Sequence, residues 1–275
     1  MCAGLPEVSG PSGPLATVDL GRVLVTGAAS GLGRHLCERF GARPFLRGDR
    51  AEALEGEAFD LIVHCAANAS LAVGDGQAFR FVDDNILLTE RLTRIPHGLF
   101  VFLSSVDLYP VIGGPWREEA PLSLDATRNA YGAAKMMAEA VVRERCRRHL
   151  ILRPTTLLGR YARANNIIRL LTADEPRLTL TAASRFNCLL HDDVAAFIVA
   201  CLHQERSGIF NLGRNDTVSL EEVAAAFGRT PRFGTIDYTV PWTCMDKAAE
   251  ILPGLRGNSL SAIRTFFRTV QDRAV

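Results

Sequence analysis

The sequence predicts an α/β protein: a doubly wound parallel sheet followed by a small, mostly helical carboxyl-terminal lobe. Three observations carry that expectation. Short β-branched runs alternate with longer amphipathic stretches between Arg22 and Arg153, the pattern of strand and helix units whose strands are buried on both faces. A glycine-rich turn, TGAASGLG, follows the first of these strands at once and opens a helix. Past Arg153 the alternation breaks into shorter, mainly helical segments, as expected of a lobe set over the strand ends.

Taken in order, residues 1–20 are a Gly, Pro and Ser cluster without apolar periodicity and are expected to form a flexible leader. RVLVT (22–26) reads as a strand and GLGRHLCERF as an amphipathic helix. RPFL (43–46) reads as a strand beside the first, and DLIVHCAA (60–67) as a buried strand. Only the 13 residues 48–60 lie between Arg47 and Leu61, about the length of one crossover, so one βα unit after the first helix is expected to be trimmed. AFRFVDDNILLTERLTR (78–94) reads as a helix, LFVFLSS (99–105) as a strand, NAYGAAKMMAEAVVRERC (129–146) as a helix and LILR (150–153) as a strand. The core is expected over 21–160. Residues 161–275, with IIRLL, DDVAAFIVACL, GIFNLG, SLEEVAAAF and KAAEIL, are expected to be mainly substrate lobe, some segments returning to the core.

Composition narrows the function classes. The 275 residues are 48% apolar and carry 31 basic against 30 acidic side chains, so neither a nucleic-acid nor a membrane-surface footprint is visible. The longest apolar runs fall short of the roughly 20 residues of a membrane helix, and no cationic, apolar leader opens the chain, so a cytoplasmic protein is expected. Seven cysteines without a CxxC pair suggest reduced, buried thiols and no metal site. His191, Asp192 and Asp193 are adjacent and cannot all point one way; the Asp pair reads as a helix start. His64, on an apolar strand, reads as a hydrogen-bonded core histidine.

Gly27, Gly31 and Gly33 sit at the strand-to-helix turn where phosphates bind. The first permits the turn, the second lets a pyrophosphate approach the backbone, and the third lets helix and strand pack closely. Arg47 and Asp49 would lie near an adenosine ribose, where an arginine favours a 2′-phosphate and an acid a free hydroxyl. The arginine stands nearer the strand end, so the expectation leans to NADP(H) within NAD(P). Farther on, Ser105 ends a strand, Tyr131 follows 26 residues later, and Lys135 lies one helical turn beyond on the same face. An adjacent ammonium favours phenolate and should lower the tyrosine's pKa. Ser105 could then hold a substrate oxygen while Tyr131 passes a proton and a nicotinamide passes a hydride.

With TGAASGLG, HCAA (64–67), DNILLTERL (84–92), LSSVDLYP, YGAAK and LRPTTLLG, the chain resembles the extended short-chain dehydrogenase/reductase superfamily of NAD-dependent epimerases, dehydratases and reductases. The resemblance runs from Arg22 to about Phe267 and implies a Rossmann-type fold and a hydride-transferring site. In it Ser105, Tyr131 and Lys135 match the catalytic residues, with Lys135 also touching the nicotinamide ribose. It implies cofactor contacts from the Ser30, Leu32 and Pro154 positions, from Ala66 and Ala67 beside the adenosine, and from Asn85 near the nicotinamide. The glycine spacing is that of the single-domain branch, with Ser30 where the extended branch carries its second glycine. Thr156 stands where an asparagine often helps hold a sugar nucleotide. Asp107 falls where dehydratases carry a glutamate base, but Val106 replaces their neighbouring aspartate, so Asp107 is a candidate second acid/base outside dehydration. Asn165, Thr156, Arg169, Arg185 and Arg214 are candidates for the substrate's phosphates or sugar.

The expected function is an NAD(P)-dependent biosynthetic oxidoreductase acting on a carbonyl or carbinol carbon of a nucleotide-activated sugar, similar to the compact deoxysugar ketoreductases. A redox-neutral epimerase with tightly held NAD and a non-catalytic dinucleotide sensor or scaffold are the alternatives. The resemblance further implies a homodimer.

Overall fold

The computed structural model describes residues 20–54, 56–70, 73–74 and 76–272. The expected leader, Leu20 apart, lies outside the described residues. β1 (Val23–Thr26) is entirely buried and runs through the glycine turn into α1 (Gly31–Phe40). β2 (Arg43–Phe45) returns beside β1, and a single turn of 3-10 helix, Ala51–Leu54, carries the chain to β3 (Phe59–His64) on the other side of β1. The trimmed unit is therefore real, since among the described residues no full helix stands between β2 and β3.

The stretch expected as one helix is helical without a gap from Ala78 to Thr93 but carries a π-helical turn in its middle. α2 (Ala78–Val82) and α3 (Leu88–Thr93) flank a π-helical turn, Asp83–Leu87. The cause is local: Asn85 Nδ2 donates to the Phe81 carbonyl at 3.0 Å, placing a side chain in the helical ladder. β4 (His97–Leu103), α4 (Ala130–Arg145) and β5 (His149–Pro154) follow as expected. Next come β6 (Thr156–Leu158), α5 (Asn166–Thr172), β7 (Arg185–Phe186), β8 (Cys188–Leu190), α6 (His191–His203) and β9 (Gly208–Leu212). β10 (Val218–Ser219), α7 (Leu220–Ala226), α8 (Asp246–Ile251) and α9 (Ser259–Gln271) complete the order.

The main sheet has the order β2-β1-β3-β4-β5-β9, all parallel. Alternate residues feed opposite faces. Val25, Val63, Val101 and Leu152 pack under α1 and α6, whereas Leu24, Ile62, Phe100 and Ile151 pack under α3 and α4. Both layers are apolar because helices cover both sides, as a parallel sheet requires. α6, β9 and α8 belong to this body although they follow residue 161. A separate cluster, with Ile167, Phe186, Val223, Ile263 and Phe266, holds α5, α7 and α9 together over the carboxyl ends of the strands. Among the described residues no helix is long and apolar enough to cross a membrane.

Candidate active site

A groove of about 800 Å³ opens at the carboxyl ends of β1, β3 and β4, lined by the glycine turn on one side and by Ser105, Tyr131 and Lys135 on the other. Gly27 and Gly31 have φ of 68° and 59°, left-handed values that favour glycine. A methyl group at Gly33 would collide with the carbonyls of Gly27 and Thr26, so the first turn of α1 lies directly on the end of β1. At Gly31 the space is open, with the Tyr161 carbonyl 4.0 Å from where a Cβ would stand. Ser30 is the amino-terminal cap residue of α1, though its hydroxyl bonds no backbone N–H there.

A directed chain of hydrogen bonds holds the groove floor. Ala66 N–H donates to Thr26 Oγ1 at 3.0 Å, and Thr26 Oγ1 lies 2.7 Å from His64 Nδ1. His64 Nε2 lies 3.0 Å from Thr89 Oγ1, whose own proton goes to the Asn85 carbonyl at 2.8 Å. Thr89 must therefore accept from His64, which sets the proton on Nε2 and leaves Nδ1 to accept from Thr26. Burial pushes His64 down to about 3, so the ring is neutral. It is a core histidine, as its apolar strand implied, and it fixes Ala66 and Ala67 beside the glycine turn.

Asn85 is 4% exposed and is not among the residues that line the groove. Its Oδ1 accepts the Asn68 N–H at 3.0 Å and its Nδ2 donates to the Asn68 carbonyl at 3.1 Å. The structure thus gives it the loop after β3 to hold, and any influence on a nicotinamide would pass through that loop.

Ser105 caps a 3-10 turn, Val106–Leu108, by accepting the Asp107 N–H at 3.1 Å, and its hydroxyl in turn bonds the Asp107 carboxylate. Tyr131 sits in the first turn of α4, capped by Asn129, whose Oδ1 accepts the Gly132 N–H at 2.9 Å. A Cβ at Gly132 would stand 2.6 Å from the Asp107 carbonyl, so this glycine lets α4 approach the Ser105 turn. Lys135 is 3% exposed; its Nζ donates to the Leu103 carbonyl at 2.5 Å and lies 5.6 Å from the centre of the Tyr131 ring. Burial without a carboxylate partner pushes the ammonium down to about 8.

The expected depression of the Tyr131 pKa does not occur in the protein alone. Burial and the Asp107 carboxylate push the phenol up, and the cation opposing them is Arg163 rather than Lys135. Lys135 gives one of its three N–H donors to the Leu103 carbonyl, and removing the phenol from water dominates. Asp107 is half-buried; burial raises its carboxyl, while the Arg128 guanidinium and Ser105 pull the other way. Arg128 itself lies 4.6 Å over the Tyr238 ring of the lobe.

At the far end Arg47 lines the groove and lies 3.5 Å from Asp84. Asp49 also lines it, but its Oδ2 accepts the Leu46 N–H at 2.7 Å and so closes its own turn. Arg91, which the sequence did not single out, reaches the same end from α3, paired with Asp83 at 2.9 Å. Leu32, Ala66, Ala67 and Pro154 line the groove too.

The lobe candidates are placed differently. Asn165 Oδ1 caps α5 by accepting the Ile168 N–H. Arg185 is held by Thr217 and Glu222, and Arg214 by Asp193 and the Gly254 carbonyl. Arg169 is exposed on α5, and Thr156 pairs into the lobe through β6. None of these five lines the groove. Arg163, Thr155 and His191 do; Thr155 lies within LRPTTLLG and His191 within the run ahead of a helix start, neither read as a site residue, and no local pattern marked Arg163. The Ser104 hydroxyl at the groove wall is buried without a partner.

The sequence profile of the NAD dependent epimerase/dehydratase family matches residues 46–213. No curated protein sequence matches the chain. The UDP-glucuronic acid 4-epimerase from Bacillus cereus is similar over 91% of this chain and 99% of its own, at 19% identity and a TM-score of 0.72. The dTDP-4-dehydrorhamnose reductase from Bacillus anthracis str. Ames is similar over 90% and 99%, at 17% identity and a TM-score of 0.75. A UDP-galactose 4-epimerase is similar over 92% and 99%, at 20% identity and a TM-score of 0.69. At such identities these likenesses show a shared fold.

Proposed function

The chain belongs to the NAD dependent epimerase/dehydratase family, and from that premise we propose that it is an NAD(P)-dependent oxidoreductase that reduces a keto group of a nucleotide-linked sugar. The observation that carries this reading is the convergence of Ser105, Tyr131 and Lys135 on the groove that begins at the glycine turn. The groove fits a dinucleotide: Gly31 leaves room at the helix end, Ala66 and Ala67 present small side chains, and Ser104 offers a buried hydroxyl with no partner. When bound, the nicotinamide supplies or accepts the hydride.

The chain's own residues handle the proton. Tyr131 keeps its proton at neutral pH and is placed to give it to the oxygen that becomes the alcohol. Ser105, at the carboxyl end of its strand, donates to the same oxygen once its hydroxyl turns from the Asp107 carboxylate, and holds it against Tyr131. The Lys135 ammonium stabilises the phenolate left behind. The solved relatives named for UDP-sugar epimerases and a dTDP-4-dehydrorhamnose reductase support a nucleotide sugar as the substrate class.

Cofactor choice rests on Arg47 and Asp49. Asp49 is spent on its own turn while Arg47 and Arg91 border the adenosine end, which supports NADP(H). The testing experiment mixes the protein with NADPH or NADH and nucleotide 4-keto sugars and follows loss of the nicotinamide absorbance. Tyr131→Phe should lower turnover at least a hundredfold with cofactor affinity changed by no more than a few fold. Interconversion of sugar epimers without net cofactor turnover would establish the epimerase instead. A fully active Tyr131→Phe protein would overturn the assignment of the proton donor.

A further inference from the structure

Residues 159–165 lie across the glycine turn, pinned there by Tyr161. Its carbonyl accepts the Gly31 N–H at 2.8 Å, its hydroxyl donates to Glu38 at 2.6 Å, and its ring lies 4.1 Å from the Arg34 guanidinium. Positions 31, 34 and 38 share one face of α1, so the segment is strapped to two successive turns.

The strap changes the chemistry of the helix end. An open N–H in the first turn would serve a phosphate, but a protein carbonyl already uses the one at Gly31. A bound anion loses that donor, and a cationic side chain nearby can make up for it. Four cationic side chains line the groove: Arg47, Arg91, Lys135 and Arg163. Arg47 faces Asp84, Arg91 faces Asp83, and Lys135 donates to the Leu103 carbonyl. Arg163 has no hydrogen-bond or ion-pair partner among the described residues. It stands two residues past the carbonyl on Gly31, and its charge is felt at the Tyr131 phenol. Arg163 thus lines the one groove that also holds the glycine turn and the proton donor, where a dinucleotide would lie.

We propose that Arg163 binds the cofactor's diphosphate, supplying the interaction that the Tyr161 carbonyl has withdrawn at Gly31. The inference rests on the reading that the groove holds a dinucleotide. A nucleotide sugar carries the same diphosphate chemistry, and the experiment separates the two sources.

Calorimetric titration of wild type, Arg163→Ala and Arg163→Lys with NADH, NADPH and ADP-ribose tests it. Arg163→Ala should weaken all three by a similar factor, about tenfold, the scale of one lost charge-assisted hydrogen bond at a partly solvated site. Arg163→Lys should lie between, because an ammonium keeps the charge without the fork. The exposed, unpartnered side chain makes both variants compatible with folding, which far-UV circular dichroism checks. A loss confined to NADPH would make Arg163 a 2′-phosphate residue and overturn the proposal. Unchanged cofactor affinity with a raised KM for the nucleotide sugar would assign it to the substrate's diphosphate and overturn it equally. Wild-type protein that binds none of the three ligands would refute the reading of the groove itself, a different result from variants that bind like wild type.

Discussion

Lys135→Met should make the protein more stable at neutral pH while removing its activity. The ammonium is 3% exposed, has no carboxylate partner, and is pushed from 10.5 down to about 8. At about 1.4 kcal/mol per pH unit, that drop corresponds to about 3 kcal/mol by which the protonated form disfavours folding. The sign follows from proton counting. Between pH 8 and 10.5 the unfolded chain holds the lysine proton and the folded one does not, so this group's contribution to stability rises with pH there. Below pH 8 both states hold it and the full penalty remains. Methionine has a similar length, carries no charge and gives up the bond to Leu103 and the ammonium's contacts with the Phe102 and Tyr131 rings. The variant should therefore exceed wild type by about 1–3 kcal/mol at pH 7, and the difference should shrink toward pH 10.5. Urea unfolding of both proteins at pH 7, 8.5 and 10 reads this directly, and the difference cancels the cysteines and tyrosines they share. A Met variant less stable than wild type at pH 7, or a difference that does not change with pH, would refute the claim that Lys135 is a buried cation held at a cost in stability.

Ser105→Ala should lower turnover about a hundredfold, since a hydroxyl donor is lost from the reacting oxygen, whereas Ser104→Ala should act mainly on nicotinamide affinity. Steady-state kinetics beside cofactor titration separates the two, and the reverse ranking would exchange their roles. Arg47→Ala should weaken NADPH by about 1.5 kcal/mol and leave NADH nearly unchanged. Asp49→Ala should not alter the ratio of the two affinities, because its carboxylate is bound to the Leu46 N–H. An Asp49→Ala protein that abandons a wild-type preference for NADH would show that the acid reads the ribose.

The strands, the glycine turn and the Ser105, Tyr131 and Lys135 set were legible because each is written in neighbouring residues. VLVT alternates between two apolar layers, the glycines sit where left-handed backbone and close packing exclude a Cβ, and Tyr131 and Lys135 are one turn apart. The trimmed crossover was legible as a length. The π turn at Asn85 was not, because a side-chain amide reaching the carbonyl four residues back leaves no mark on apolar periodicity. The protonation of Tyr131 also escaped the sequence. Helical spacing puts a lysine beside a phenol, but only the depth of burial and the approach of Asp107 decide which way the phenol shifts. Likewise, a chain with 29 arginines gives no local means of ranking them. Folding sorts them by partner: Arg185 and Arg214 are consumed inside the lobe, while Arg163, two residues beyond a carbonyl seated on Gly31, reaches the groove uncommitted. Patterns set by backbone geometry can be read along the chain, whereas electrostatic roles depend on distances between segments far apart in sequence, which exist only once the sheet has brought them together.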